Sequence, residues 1–252
     1  MLTFKFLPKF SILVVFIFVL FTIVGTLSHE FGHIAVAKYL GYDTTLDYGS
    51  MNYLPKGYNR DENVLALERI TKDYKTIAYD KWPDDLKFKF EALQKTINAT
   101  YFNNEAFKTD SFWITIGGPA QTLLTSFLGL LVLFIRRRKW TTKFETIDWL
   151  TVFMALFALR EVFNFVQAFF ATIVNSESNF HADEFRISRY LGYHEWVIPT
   201  FTMILGLVIS SYVMLKIIPL KFRFTFIISG FIGGILGFVL WFGFLGELLF
   251  RF

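Results

Sequence analysis

The stretch that decides the fold is FSILVVFIFVLFTIVGTLSHEFGHIAVAKY, Phe10 to Tyr39. Phe10 to Leu27 is apolar apart from small hydroxyl and glycine positions, and Ile34 to Ala37 is apolar again. A helix needs about 20 such residues to cross the hydrocarbon core of a bilayer, so the spacing predicts a membrane helix from Phe10 to about Tyr39. Ser28 to His33 interrupts it with three ionisable side chains, His29, Glu30 and His33. Charged groups at membrane depth cost about 2.5–3.5 kcal/mol each on insertion scales and mark function by default. Lys5 and Lys9 before the run, with Ala35-Val36-Ala37 after it, resemble a secretory signal. Cleavage there would discard both histidines, and the apolar run is long for a signal, so an uncleaved helix is expected.

Four more apolar runs follow, at about Phe112–Ile135, Ile147–Val174, Trp196–Ile218 and Phe224–Phe250. The chain has 252 residues, of which 54% are hydrophobic, 18% are charged and 33 are Phe. Soluble domains carry nearer a quarter charged. The predicted class is therefore all-α: one polytopic helix bundle over 1–252, about five transmembrane helices, with a polar extramembrane insert at 41–110. In the insert, Gly49, Asn52 and Pro55-Lys56-Gly57 punctuate β-prone residues and predict a hairpin within Asp43–Tyr58. Asp61 to Thr100 reads as amphipathic helix. Gly230, Gly233, Gly234 and Gly237 in the last run form two overlapping GxxxG pairs, expected to pack helices closely; oligomeric state is left open.

The net charge of +4 does not point to nucleic acid, because the Lys and Arg flank apolar runs, where they anchor helices. Lys5 and Lys9, Arg136-Arg137-Arg138-Lys139, and Lys216 to Arg223 fall on one side of a five-span bundle. By the positive-inside rule that side, with the N-terminus, is expected to be cytoplasmic, and the expected location is a bacterial cell membrane. There is no cysteine, so disulfides and thiolate ligands are excluded, and any metal must be held by His, Asp or Glu.

His29-Glu30-Phe31-Gly32-His33 is an HExxH motif. Histidines at i and i+4 share one helical face, one turn apart. They can hold one Zn²⁺, with Glu30 placed to take a proton from its water. Catalytic zinc usually has three protein ligands and an open position. Asp183, His181 and Glu161 are the candidates for the third. Arg160 and Glu161 lie mid-span on different sides of a helix; a structural ion pair to another helix is the expected role, or Glu161 as a partner of a ligand histidine.

An HExxH inside a first membrane helix resembles the site-2 protease family of intramembrane zinc metalloproteases. Gly117-Gly118-Pro119-Ala120-Gln121, opening the second apolar run, is similar to that family's GPxxN motif, with Gln121 in place of Asn. Asn175 and Asp183, followed by Arg186, are similar to its Asn…Leu-Asp-Gly segment, with Glu184 in place of Gly. The resemblance implies Asp183 as third zinc ligand and Asn175, Gly118 and Pro119 as substrate contacts. It further implies hydrolysis of a membrane protein or peptide at the bilayer, with Glu30 as general base. Family members often open their site nearer the cytoplasm; the basic loops here place it nearer the other face. Two rival expectations remain: a different membrane zinc peptidase with Glu161 as ligand, and a non-catalytic membrane protein that binds metal or a partner.

Overall fold

A computed structural model describes residues 5–137, 144–174 and 181–251. Helix α1 (Pro8–Tyr39) starts on a proline, whose fixed φ suits the first helical turn. It stops at Gly41, whose φ of +88° suits a residue without Cβ. The chain then forms an antiparallel hairpin, β1 (Asp43–Leu46) with β2 (Met51–Leu54), in the register Asp43 to Leu54 and Leu46 to Met51. Next come α2 (Glu62–Asp73), α3 (Asp84–Ile97) and α4 (Glu105–Arg136). Asp61 caps α2 through the Asn63 and Val64 amides, and Asn104 caps α4 through that of Phe107. The third apolar run is α5 (Thr146–Ala155) and α6 (Leu159–Val174), joined by a 3₁₀ turn at Leu156–Ala158. Short α7 (Asp183–Tyr190) precedes α8 (Val197–Tyr212) and α9 (Leu220–Leu240). A π turn at Trp241–Leu245 carries α9 into α10 (Gly246–Leu249).

The fold is an all-α bundle. Five helical segments are long and apolar enough to cross a membrane: Pro8–Tyr39, Glu105–Arg136, Thr146–Val174, Val197–Ile217 and Leu220–Leu249. Their outer faces present side chains such as Ile12 (73% exposed), Phe201 (65%) and Phe231 (71%). An apolar girdle of this extent is what a lipid-facing surface requires, and the chain is an integral membrane protein.

Two expectations need correction. The second span begins at Glu105, well before Phe112, because the capped polar turns Glu105–Asp110 continue the helix outward from the apolar run. The stretch 61–100 is not one amphipathic helix. It breaks at 74–83, where Pro83 starts α3 afresh and Trp82 turns inward, packing on Tyr74 and Phe90 and donating from Nε1 to the Ile77 carbonyl at 2.9 Å.

The bundle has two unlike ends. At one, Phe10 of α1 packs on Trp149 and Phe222 at 5.2 and 4.8 Å. There Arg136 at the end of α4 reaches Asp148 (2.7 Å) and Glu145 (2.8 Å), which themselves form a capping box for α5. The apolar core, including Val14, Leu133, Phe153, Ile209 and Phe226, fills this half. The other end carries the hairpin, α7 and the C-terminal turn; the hairpin and that turn are tied where Trp241 Nε1 donates to the Tyr48 carbonyl at 2.8 Å. Residues 29–33 of α1 arrive in this second half.

The glycines of α9 face α1. A Cβ on Gly233 would lie 2.7 Å from the Val15 carbonyl oxygen, and one on Gly237 would lie 2.9 Å from Thr22 Cβ, whereas Gly234 faces open space. The Gly233–Gly237 pair, with Gly230 against Phe18, thus serves intramolecular packing. Gly233→Ala is expected to cost about 1–3 kcal/mol through overpacking, and Gly234→Ala close to nothing. Thermal unfolding in detergent of the two variants side by side checks this.

Candidate metal centre

Helices α1 and α4 touch backbone to backbone beside the HExxH motif. A Cβ on Gly32 would strike the Gly117 carbonyl, and one on Gly117 would lie 2.5 Å from the Gly32 carbonyl. Only glycine permits that approach. Gln121 fixes the register: its Nε2 donates to Ser28 Oγ, immediately before the motif, and to Thr125 Oγ1 at 3.0 Å.

The approach delivers partners to both histidines. His33 Nδ1–H donates to the Ile114 carbonyl oxygen at 2.7 Å, and His29 Nδ1 shares a hydrogen bond with Thr122 Oγ1 at 2.9 Å. The Gly118 amide also lies 3.2 Å from His33 Nδ1, but the shorter contact is to a carbonyl, which can only accept, so the proton belongs on Nδ1. The proton on His33 Nδ1 leaves its Nε2 with a bare lone pair, and the same tautomer of His29, donating to Thr122, would leave its Nε2 bare as well. Those two nitrogens lie 3.2 Å apart, and Asp183 Oδ2 lies 3.0 Å from the first and 3.2 Å from the second. With both Nδ1 atoms protonated, three acceptors converge with no donor among them, an arrangement that a bound cation would stabilise. A tetrahedral zinc with bonds near 2.05 Å has ligand–ligand edges of about 3.3 Å, so the triangle fits one face of such a site. Among the described residues, His29, His33 and Asp183 are the group of metal-ligating side chains that comes together.

Asp183 arrives on the first turn of α7. The helix behind it is firmly seated. Phe185 packs edge-on to Trp196, Tyr190 stacks on Phe112 at 4.1 Å, and Ser188 Oγ accepts from the Ile198 amide at 3.1 Å.

Glu30 is 6% exposed and lines a cavity of about 270 Å³ with His33, Asp183, Arg160, Arg186 and His181. Met51 and Tyr53 of β2 form another wall of it. His181 is exposed at this cavity and outside the converging triangle. Glu161 is outside it too: its buried carboxyl faces Glu184 and Thr202. The ion pair expected for Arg160 or Glu161 does not form among the described residues. Glu161 instead faces another buried acid, Glu184, and both of its carboxyl oxygens lie without a hydrogen-bond partner among the described residues. Gly118 and Pro119 are buried and do not line the cavity. Gly118 lies under the imidazoles, where a Cβ would collide with both Nε2 atoms. Asn175 lies outside the described residues.

Comparison of the chain with protein-family models, with curated proteins and with solved structures finds no match.

The candidate centre is two imidazoles and one carboxylate converging beside a polar cavity that holds Glu30. Thr122 and the cavity-facing Arg160 are functional candidates that sequence reasoning missed. No motif signals a threonine that orients a histidine 93 positions away. Thr122→Val, which keeps shape and removes the acceptor, is expected to weaken zinc affinity about 10–100-fold. Competition titration against a chelator measures it.

Proposed function

We propose that the protein is a membrane-embedded zinc metallopeptidase of the site-2 protease kind, hydrolysing peptide bonds of membrane-associated polypeptides. The observation that carries this reading is the 3.0–3.2 Å triangle of His29 Nε2, His33 Nε2 and Asp183 Oδ2 beside a buried glutamate. Zinc held there would supply Lewis acidity, polarising a carbonyl and bringing the pKa of water towards about 7.

The chain's own residues do the rest. Thr122 and the Ile114 carbonyl hold the two imidazoles in the tautomer that ligates. Glu30, adjacent to His29 and directed into the cavity, takes the proton of the attacking water and returns it to the leaving amine. The β2 strand borders the cavity through Met51 and Tyr53. As a member of a two-stranded sheet it has an edge free of β1, along which an extended substrate can add as a further strand. The membrane helices exclude bulk water, so the charges act in a low-dielectric space. The basic loops support a cytoplasmic N-terminus, with the centre in the opposite half of the bundle.

The test is a terminal-labelling comparison. Wild-type protein and Glu30→Gln, each loaded with zinc in detergent, are incubated with solubilised membrane proteins, and new N-termini are sequenced by mass spectrometry. New termini near apolar segments with wild type, and none with the variant, support the reading. Identical patterns from both would sink it.

A further inference from the structure

Arg160 is a cation in the third membrane span for which the described residues supply no ion-pair partner. It lies in the first turn of α6, directly after the 3₁₀ turn at Leu156–Ala158. Adjacent helical residues point about 100° apart, so Glu161 turns into the bundle towards Glu184 while Arg160 lines the cavity that holds Glu30, His33 and Asp183. Among the described residues the Arg160 guanidinium forms no ion pair within 4.0 Å, and its Nε is buried without a hydrogen-bond partner. An arginine kept at membrane depth with its fork unused is costly unless something else fills it.

The charge of the cavity points the same way. Arg186 is a second guanidinium on its wall, 3.9 Å from Asp183 Oδ1. With zinc in place, a divalent ion and two guanidiniums stand against the carboxylates of Asp183 and Glu30, leaving two positive charges in excess. Glu161 and Glu184 do not line the cavity. A neutral peptide leaves that excess uncompensated, and a carboxylate offsets part of it. Arginine's planar fork fits a carboxylate through two parallel hydrogen bonds.

Resting on the metallopeptidase reading, we propose that Arg160 is the specificity-determining residue of this site and binds a carboxylate of the substrate next to the scissile bond. The carboxylate comes from an acidic side chain or from a free chain terminus. The class of substrate is thereby an acidic or carboxyl-terminal peptide segment in an apolar context.

The experiment reads binding, so it does not require turnover. Three fluorescent ten-residue apolar peptides are used as probes: one with a central Asp and an amidated end, one with Asn there and an amidated end, and the Asn peptide with a free carboxyl end. Each is titrated by fluorescence anisotropy into zinc-loaded Glu30→Gln protein, with and without Arg160→Gln. A carboxylate peptide is expected to bind at least about tenfold tighter than the neutral one, and Arg160→Gln is expected to erase that preference. Which of the two carboxylate peptides gains identifies the source. Equal weakening of all three peptides, loss of zinc, or an unchanged preference would overturn the assignment; loss of zinc would make Arg160 a counter-charge for the acid pair. If Arg160→Gln does not fold, Arg160→Lys replaces it. It keeps the charge and loses the fork, and it is expected to lose most of the preference; a wild-type preference in that variant contradicts the proposal. If wild-type protein cleaves nothing, the metallopeptidase reading fails separately, and the binding result still decides Arg160.

Discussion

Glu30→Gln is expected to lower peptide hydrolysis by about 10²- to 10⁴-fold, the usual worth of a positioned general base, while zinc content stays at the wild-type level. The two halves of that outcome have different causes. Gln is nearly isosteric with Glu, so α1 keeps its shape and both imidazoles keep their partners on Thr122 and Ile114. Glu30 is not one of the three converging ligands, so the ion should not be lost with it. What disappears is the acceptor that takes the proton from water. A side-by-side measurement of turnover and of metal by atomic emission separates the roles. A variant that loses zinc together with activity would make Glu30 a ligand.

Gly118→Ala is expected to damage the centre as severely as removing a ligand, although glycine has no side chain to contribute. The added Cβ would sit against the Nε2 atoms of both His29 and His33. Those are the atoms that must face the ion, so the imidazoles have to rotate away, and in doing so they leave Thr122 and the Ile114 carbonyl. Neither neighbour can yield cheaply, because α1 and α4 are already in backbone contact at Gly32 and Gly117. Zinc affinity should fall by more than about 100-fold, beyond the range usual for lost orienting partners alone. Since no polar group is removed, unfolding temperature without zinc should change much less. Chelator competition and thermal unfolding of the apo protein give the two numbers. A Gly118→Ala protein that binds zinc normally would show that the backbone can shift to accommodate the methyl.

The contrast between Glu30 and Gly118 shows what a sequence can reveal here. HExxH is local: one helical turn brings both histidines to one face, so the pair is legible from the spacing of residues 29–33 alone. Residue type made Asp183 one of three candidates and resemblance alone preferred it; in the structure it lies 3.0 and 3.2 Å from the two Nε2 atoms. The five spans were legible because apolar length is a strong signal. Their ends were less so, since Glu105–Asp110 is polar yet helical. Gly118, Thr122 and Arg160 depend on where α4 and α6 lie relative to α1, and no periodicity encodes that. The placing of Glu161 beside Glu184 ran against expectation, because sequence reasoning looks for opposite charges and does not anticipate two buried acids side by side.

The most direct test of the central claim is the zinc content of detergent-purified protein, wild type beside His33→Ala and Asp183→Ala. The account predicts about one zinc per chain in the wild type and loss of most of it in both variants, as a three-ligand site requires. Asp183→Ala protein that retains its zinc would contradict the site as drawn and return His181 and Glu161 to consideration. Wild-type protein without any transition metal would contradict the metallopeptidase reading as a whole.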